Sequence, residues 1–182
     1  MITATLTLVI MGSCSAIRRS ATSGHDKNSS SSVASEKKRD KNIEKEIIGG
    51  LHGDVKAVVE EALSWVGTPY LYGGNDKNGA DCSGFVMVVF DTSIGYKLPR
   101  TSTKQGDFCK KINQGDVRAG DLVFFATGKD PERISHVGLM IDNTRFLHAS
   151  STKGVCLSTM ESNYYRKHFI KFGRVPHFEK TK

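Results

Sequence analysis

The sequence is poor in the features that mark membrane-spanning, zinc-binding and nucleic-acid-binding chains. No run approaches the roughly 18 apolar residues that a transmembrane helix needs. No CxxC or HxxxH pair is present, so a zinc site of close ligand spacing is excluded, and neither a metal nor a cofactor is expected. Residues 15–53 contain no Phe, Trp or Tyr. Their lysines therefore have no aromatic neighbours to stack on bases, and no nucleic-acid partner is expected. No internal repeat or low-complexity tract interrupts residues 54–182.

A chain of 182 residues is long enough for one domain with a sizeable core and too short for two ordinary ones. Hydrophobic residues make up 38% and charged residues 25%, a balance that fits a globular domain with a polar extension. The net charge of +7 and pI of about 9.3 favour an anionic partner, for which lipid and wall polymers qualify as well as nucleic acid. At the N-terminus, the apolar stretch Leu6 to Met11 is followed by Gly12-Ser13-Cys14. Small residues directly before a cysteine resemble a bacterial lipoprotein signal, so residues 1–13 are expected to be a signal peptide and Cys14 the lipidated first mature residue. Residues 14–53 are expected to be a flexible Ser/Lys-rich tether. From Ser15 to Gly53 there are eight Lys or Arg against five Asp or Glu, and too little apolar surface to offset ordering entropy. Residues 54–182 form the domain.

Within it, Val55, Val58, Val59, Ala62, Leu63 and Val66 recur at helical spacing behind Asp54, a good N-cap, and the helix should stop near Gly67. The apolar run Phe85 to Phe90 is compatible with either a buried strand or a buried helix, because six apolar residues in a row carry no period. PRTSTKQ reads as a short capped helix. Strands are predicted over Asp121 to Ala126, Ser135 to Ile141, Arg145 to Ser150, Gly154 to Ser158 and Ile170 to Val175, with a helix over Glu161 to His168. Helices first and an antiparallel sheet after them indicate an α+β domain.

Of the four cysteines, Cys82 stands apart, with small polar neighbours before an apolar run. If a helix starts there, its free amides and dipole favour the thiolate, leaving it partly ionised near neutral pH, and can hold an oxyanion. A buried cysteine is more commonly a small core residue, so a base is needed to complete the case. His136 and His148 lie on two adjacent predicted strands. A two-residue turn pairs 141 with 144 and puts the rings on opposite faces of the hairpin. A three-residue turn pairs 141 with 145, or 140 with 144, and puts them on one face, with Cβ atoms roughly 4.5–8 Å apart. Cys109 and Cys156 are read as unbridged thiols, since nothing in their spacing demands a disulfide.

The blocks GTPYLYGG, DCSGFV, LPRTSTKQ, GDLVFF, SHVGLMI and FLHAS occur in that order across residues 54–178. Together they resemble the NlpC family of bacterial cell-wall cysteine peptidases. The resemblance implies a papain-like α+β fold, with N-terminal helices packed on an antiparallel sheet of about five to six strands, and makes Phe85 to Phe90 helical. Carried over residue by residue, it implies that Cys82 is the nucleophile, His136 the general base and acid, and His148 the residue that orients it. Tyr70 would lie beside the nucleophile and help bind substrate or oxyanion. Asp81, Ser83 and Arg100 would shape the neighbouring substrate subsite, although Asp81 equally suits a helix cap and Arg100 a surface ion pair. Relatives that require a free N-terminal alanine often carry an acidic residue two positions before this arginine. Here that position is Leu98 and no bacterial SH3 domain precedes the catalytic one, so cleavage within intact stems or cross-links is expected.

The implied activity is endopeptidase cleavage of peptidoglycan at a γ-D-glutamyl-diaminoacid or D-alanyl-diaminoacid bond. Alternatives on the same fold are an N-acetylmuramoyl-L-alanine amidase, an acyltransferase, or a non-catalytic wall-binding lipoprotein. The expected partners are stem peptides and, through the N-terminal lipid, a membrane. The protein is expected to be a monomer of the cell envelope, anchored at the outer membrane and facing the periplasm.

Overall fold

The computed structural model describes residues 45–179. Cys14, the signal-like residues 1–13, the first part of the tether and residues 180–182 lie outside them. Among the described residues, no helix is long and apolar enough to cross a membrane. Ordered packing reaches back before Asp54, because Ile47, in a helical turn at 45–48, is buried against the main core.

Helix α1, Gly53–Leu63, buries Val58, Val59 and Ala62, as the apolar spacing predicts. Its N-cap is His52 rather than Asp54, and makes no side-chain cap bond. The Asp54 carboxylate is instead 2.6 Å from His177 Nε2, drawn towards the C-terminal turn rather than onto the helix amides. The helix stops at Leu63, and the chain turns over Ser64 to Gly67, where Gly67 has φ +90°. A small hairpin, β1 (Asn75–Asp76) and β2 (Gly79–Ala80), then delivers the chain to Asp81.

The ambiguous apolar run is helical. Helix α2, Cys82–Ile94, has Asp81 as N-cap, whose carboxylate accepts from the Gly84 amide, and Gly95 in the left-handed conformation at its C-cap. Phe85, Val86, Val89 and Phe90 are fully buried, one face at helical period. Each such side chain contributes roughly 1.5–3 kcal/mol of transfer free energy. Helix α3, Ser102–Phe108, is capped by Thr101 as PRTSTKQ suggests.

Six antiparallel strands follow: β3 (Lys110–Ile112), β4 (Leu122–Phe125), β5 (His136–Met140), β6 (Arg145–Ser150), β7 (Gly154–Thr159) and β8 (Phe169–Arg174). Helix α4, Asn163–His168, lies between β7 and β8 in the chain. The spatial order is β3-β8-β4-β5-β6-β7. Strand β4 is buried along its whole length. Leu122 and Phe124 join the core shared with α1 and α2, while Val123 and Phe125 join a second cluster with Met140, Phe146, Phe172 and Tyr165. Edge strand β3 escapes prediction because Lys110 and Lys111 are exposed and only Ile112 is partly covered. At the opposite edge, Val155 of β7 receives the Gly67 amide at 2.9 Å and donates its own to Thr68 at 2.8 Å. Gly154 must be glycine, since it has φ +71° and a Cβ there would collide with the Thr68 carbonyl.

The β5–β6 hairpin decides where the two histidines point. Leu139 pairs with Leu147 and Met140 with Phe146, and the Ile141 amide donates to Arg145 at 2.9 Å. The connection is therefore the three residues 142–144. Asp142 fixes its length, since its carboxylate accepts from the Thr144 and Arg145 amides at 2.7 and 2.6 Å. The paired numbers sum to an even value, and both rings lie on one face.

Candidate active site

Cys82 is the first residue of α2 and is only 8% exposed. The residue before it, Asp81, is held at three points. Asp81 caps the helix through Gly84 N at 2.7 Å, its other carboxylate oxygen accepts from Gly73 N at 2.9 Å, and its amide donates to Gly74 O at 3.1 Å. Gly84 is what lets this loop come so close, because a Cβ there would overlap the Gly74 carbonyl oxygen. The spacing of DCSG thus follows from packing: an acidic cap, the thiol, and a bare backbone three residues after the cap.

Arg100 closes on the same carboxylate in a bidentate pair, Nη1 to Oδ1 at 2.9 Å and Nη2 to Oδ2 at 2.7 Å, and Nη1 also donates to Ser83 Oγ at 3.0 Å. Asp81, Ser83 and Arg100 are therefore one cluster, in which Asp81 serves at once as helix cap and ion-pair partner. Burial alone would raise the Asp81 pKa, but the Arg100 hydrogen bond, the Gly84 amide and the guanidinium charge outweigh it and hold the carboxyl below its ordinary value. Leu98, two positions before Arg100, is buried in the main core.

His136 Nε2 lies 2.8 Å from His148 Nδ1, with the rings edge to face. His136 borders the cleft, while His148 is 2% exposed. Behind His148, its Nε2 meets Ser158 Oγ at 3.0 Å, Tyr165 Oη at 3.0 Å and Cys156 Sγ at 3.7 Å. Ser158 and Tyr165 are not among the residues that the sequence singles out. Nothing in their local pattern marks them, and only the β6–β7 register and the position of α4 bring them to the ring. Cys109 and Cys156 are both free thiols.

Two cavities, of about 660 and 620 Å³, share Tyr70, Cys82 and Ser135 in their walls. They form one cleft with Cys82 at its waist. Asp81, Ser83 and Arg100 line one half, and His136 and His148 the other. All seven site residues named from the sequence within the described region thus border the same cleft. Tyr70 is partly buried beside Cys82; burial, and then the neighbouring thiol, raise its hydroxyl pKa, so it remains a proton donor.

The protonation state differs from the sequence expectation. Burial pushes the Cys82 thiol up to about 11, and the amides of Val137 and Ser83 only partly offset it. Burial pushes the His136 imidazole down to about 4. The resting pair is therefore thiol and neutral imidazole, and the helix terminus alone does not ionise the sulfur. Nε2 of His136 is engaged by His148, so Nδ1 is its other ring nitrogen for any further partner.

These directions give a testable pH response. His148 is also depressed, to about 3, by burial and by the neighbouring His136. Both rings bind protons in the unfolded chain from their ordinary 6.5 downwards but resist them when folded. Their contribution to stability is thus complete above 6.5 and lost as pH falls through about 4 and then 3. Thermal unfolding between pH 7 and pH 4 should show a falling midpoint, with a smaller fall in His148→Gln. A midpoint independent of pH across that range would mean that the rings titrate normally.

Comparison with known proteins finds relatives of this chain. Residues 67–174 match the NlpC/P60 family. The chain is 40% identical over 116 residues to a Haemophilus influenzae protein named "Probable endopeptidase", covering 64% of this chain and 71% of that one. It is 38% identical over 123 residues to an Escherichia coli protein named "Murein DD-endopeptidase MepS/Murein LD-carboxypeptidase", covering 67% of this chain and 64% of that one. A crystal structure from Staphylococcus aureus, described as similar to lipoprotein, NLP/P60 family, superposes with a TM-score of 0.61 at 34% identity. That match covers 67% of this chain and 41% of the staphylococcal one, so the chain spans less than half of that structure.

Proposed function

Since the chain belongs to the NlpC/P60 family, we propose that it is a peptidoglycan endopeptidase in which Cys82 cleaves an amide bond of the stem peptide or its cross-link, γ-D-glutamyl-diaminoacid or D-alanyl-diaminoacid. The observation that carries this reading is the single cleft in which Cys82, at the mouth of a helix, shares a wall with a hydrogen-bonded pair of histidines. In the first step, His136 Nδ1 takes the thiol proton as sulfur attacks the carbonyl carbon. The negative charge moves to the carbonyl oxygen, where the amides opening α2 and the Tyr70 hydroxyl can receive it. Collapse breaks the C–N bond, His136 returns the proton to the leaving amine, and a thioester remains. Water, deprotonated by His136, then releases the acid and restores the thiol. Asp81, Ser83 and Arg100 shape the half of the cleft that receives the residue before the scissile bond.

Incubating the purified protein with sacculi and identifying the products by mass spectrometry tests the reading. Stem fragments cut within the peptide are expected. Glycan stripped of whole stems would make the enzyme an amidase instead.

The finer parts of the reading rest on the sequence. The Leu6 to Cys14 pattern supports lipid attachment at Cys14, and a wall substrate fits an anchor at the outer membrane facing the periplasm. Palmitate labelling and membrane fractionation should both be lost in Cys14→Ala; retention in the membrane fraction would refute the anchor.

A further inference from the structure

Behind the histidine pair, two hydroxyls lie one step further back. Ser158 Oγ, from β7, and Tyr165 Oη, from α4, are each 3.0 Å from His148 Nε2, the nitrogen that faces away from His136. Ser158 Oγ also donates to Tyr165 Oη at 3.4 Å. Both residues line the cleft, Tyr165 half-buried and His148 almost wholly buried.

This geometry fixes more than the ring's position. For His136 to accept a proton at Nδ1, its Nε2 must carry hydrogen and donate it to His148 Nδ1. Then His148 must carry its own hydrogen on Nε2, and that hydrogen needs an acceptor. With the Ser158 proton directed at Tyr165, the lone pairs of Ser158 face His148 Nε2. The hydrogen bonds then run in one direction, from His136 through His148 and Ser158 to Tyr165. When His136 becomes imidazolium during attack, its Nε2–H bond strengthens, and each bond behind it polarises in the same sense.

We infer that Ser158 and Tyr165 are positioning residues of this catalytic site: acting as paired acceptors behind His148, they hold the tautomer that makes His136 a base towards Cys82. The inference rests on the peptidase reading given above, but one of its tests needs no wall substrate. Tyr165→Phe keeps the ring that packs on Phe125 and Phe146 at 5.2 and 4.9 Å between centroids and removes only the hydroxyl. Ser158→Ala is equally conservative. Either hydroxyl can serve alone, so each single variant should lower kcat by less than about 10-fold, and the double variant by on the order of 100-fold with KM unchanged. In the Tyr165→Phe background, Ser158→Thr, which keeps the oxygen, should retain most of the activity that Ser158→Ala loses.

Without substrate, the rate at which iodoacetamide alkylates Cys82 at pH 7, followed by peptide mass mapping to separate it from Cys156, reports how readily His136 accepts the thiol proton. It should fall about 10-fold in the double variant. Unchanged alkylation and unchanged kcat in a folded double variant would overturn the inference while leaving the peptidase reading intact. If the wild-type chain cleaves no wall peptide, the peptidase reading fails, and the alkylation rates still decide whether the hydroxyl pair tunes the thiol.

Discussion

Cys82→Ala is expected to lower wall-peptide hydrolysis by about 10⁴-fold or more while leaving the fold in place. The size of the effect follows from the chemistry, because a covalent route loses its bond-forming atom and His136 is left with no proton to take. Only the oxyanion donors and substrate positioning then remain, and removal of a nucleophile from comparable triads costs on the order of 10⁶-fold in kcat. The fold should tolerate the change, since a small side chain is exchanged for a smaller one at the rim of the core, 8% exposed. Release of soluble muropeptides, followed by chromatography, with thermal unfolding measured alongside, separates loss of chemistry from loss of structure. Hydrolysis at the wild-type rate would move the nucleophile elsewhere.

The second large effect is structural. Gly84→Ala should destabilise the protein by roughly 1–3 kcal/mol and remove most activity, because the new methyl group would overlap the Gly74 carbonyl oxygen. Its other neighbours are the Asp81 carboxylate at 3.1 Å and the Arg100 guanidinium at 3.3 Å. Any retreat of the backbone therefore disturbs the helix cap and the bidentate pair together. A denaturation midpoint moved to lower urea concentration with an unchanged slope is the expected signature. If stability and turnover both survive, the loop at 70–74 must be free to move, and the account of the DCSG spacing is wrong.

Much of the fold could be read in advance, and the failures have physical causes. Strand β6 matches its expected range, and β4, β5, β7 and β8 fall within one or two residues of theirs, since each is bounded by turn residues and faces at least one core. The run Phe85 to Phe90 carried no period, and only the cap at Asp81 and the left-handed Gly95 distinguish helix from strand. Asp54 misled because a good N-cap residue can be claimed by a distant partner, here His177. Strand β3 has too few apolar residues to announce itself. At the site, the parity of the Asp142 turn could be posed from the sequence as a choice between two registers, and the Asp142 carboxylate decides it. The ionisation of Cys82 could not be foreseen, because the helix terminus is visible in the sequence while the burial that outweighs it is not. Ser158 and Tyr165 were invisible for a related reason, as they depend on a strand register and a helix position set by long-range contacts.

The two margins of the large sheet bear on life at high local concentration. Exposed backbone along a strand invites a neighbouring chain to add its own, the usual beginning of aggregation. Here one margin is the short, lysine-rich β3, and at the other Val155 already has both its amide and its carbonyl taken by the Gly67–Thr68 segment. That segment leads directly to Tyr70, so the stretch that shields β7 also forms part of the wall beside the thiol. These contacts leave fewer free backbone groups along the margins for another copy of the chain to pair with.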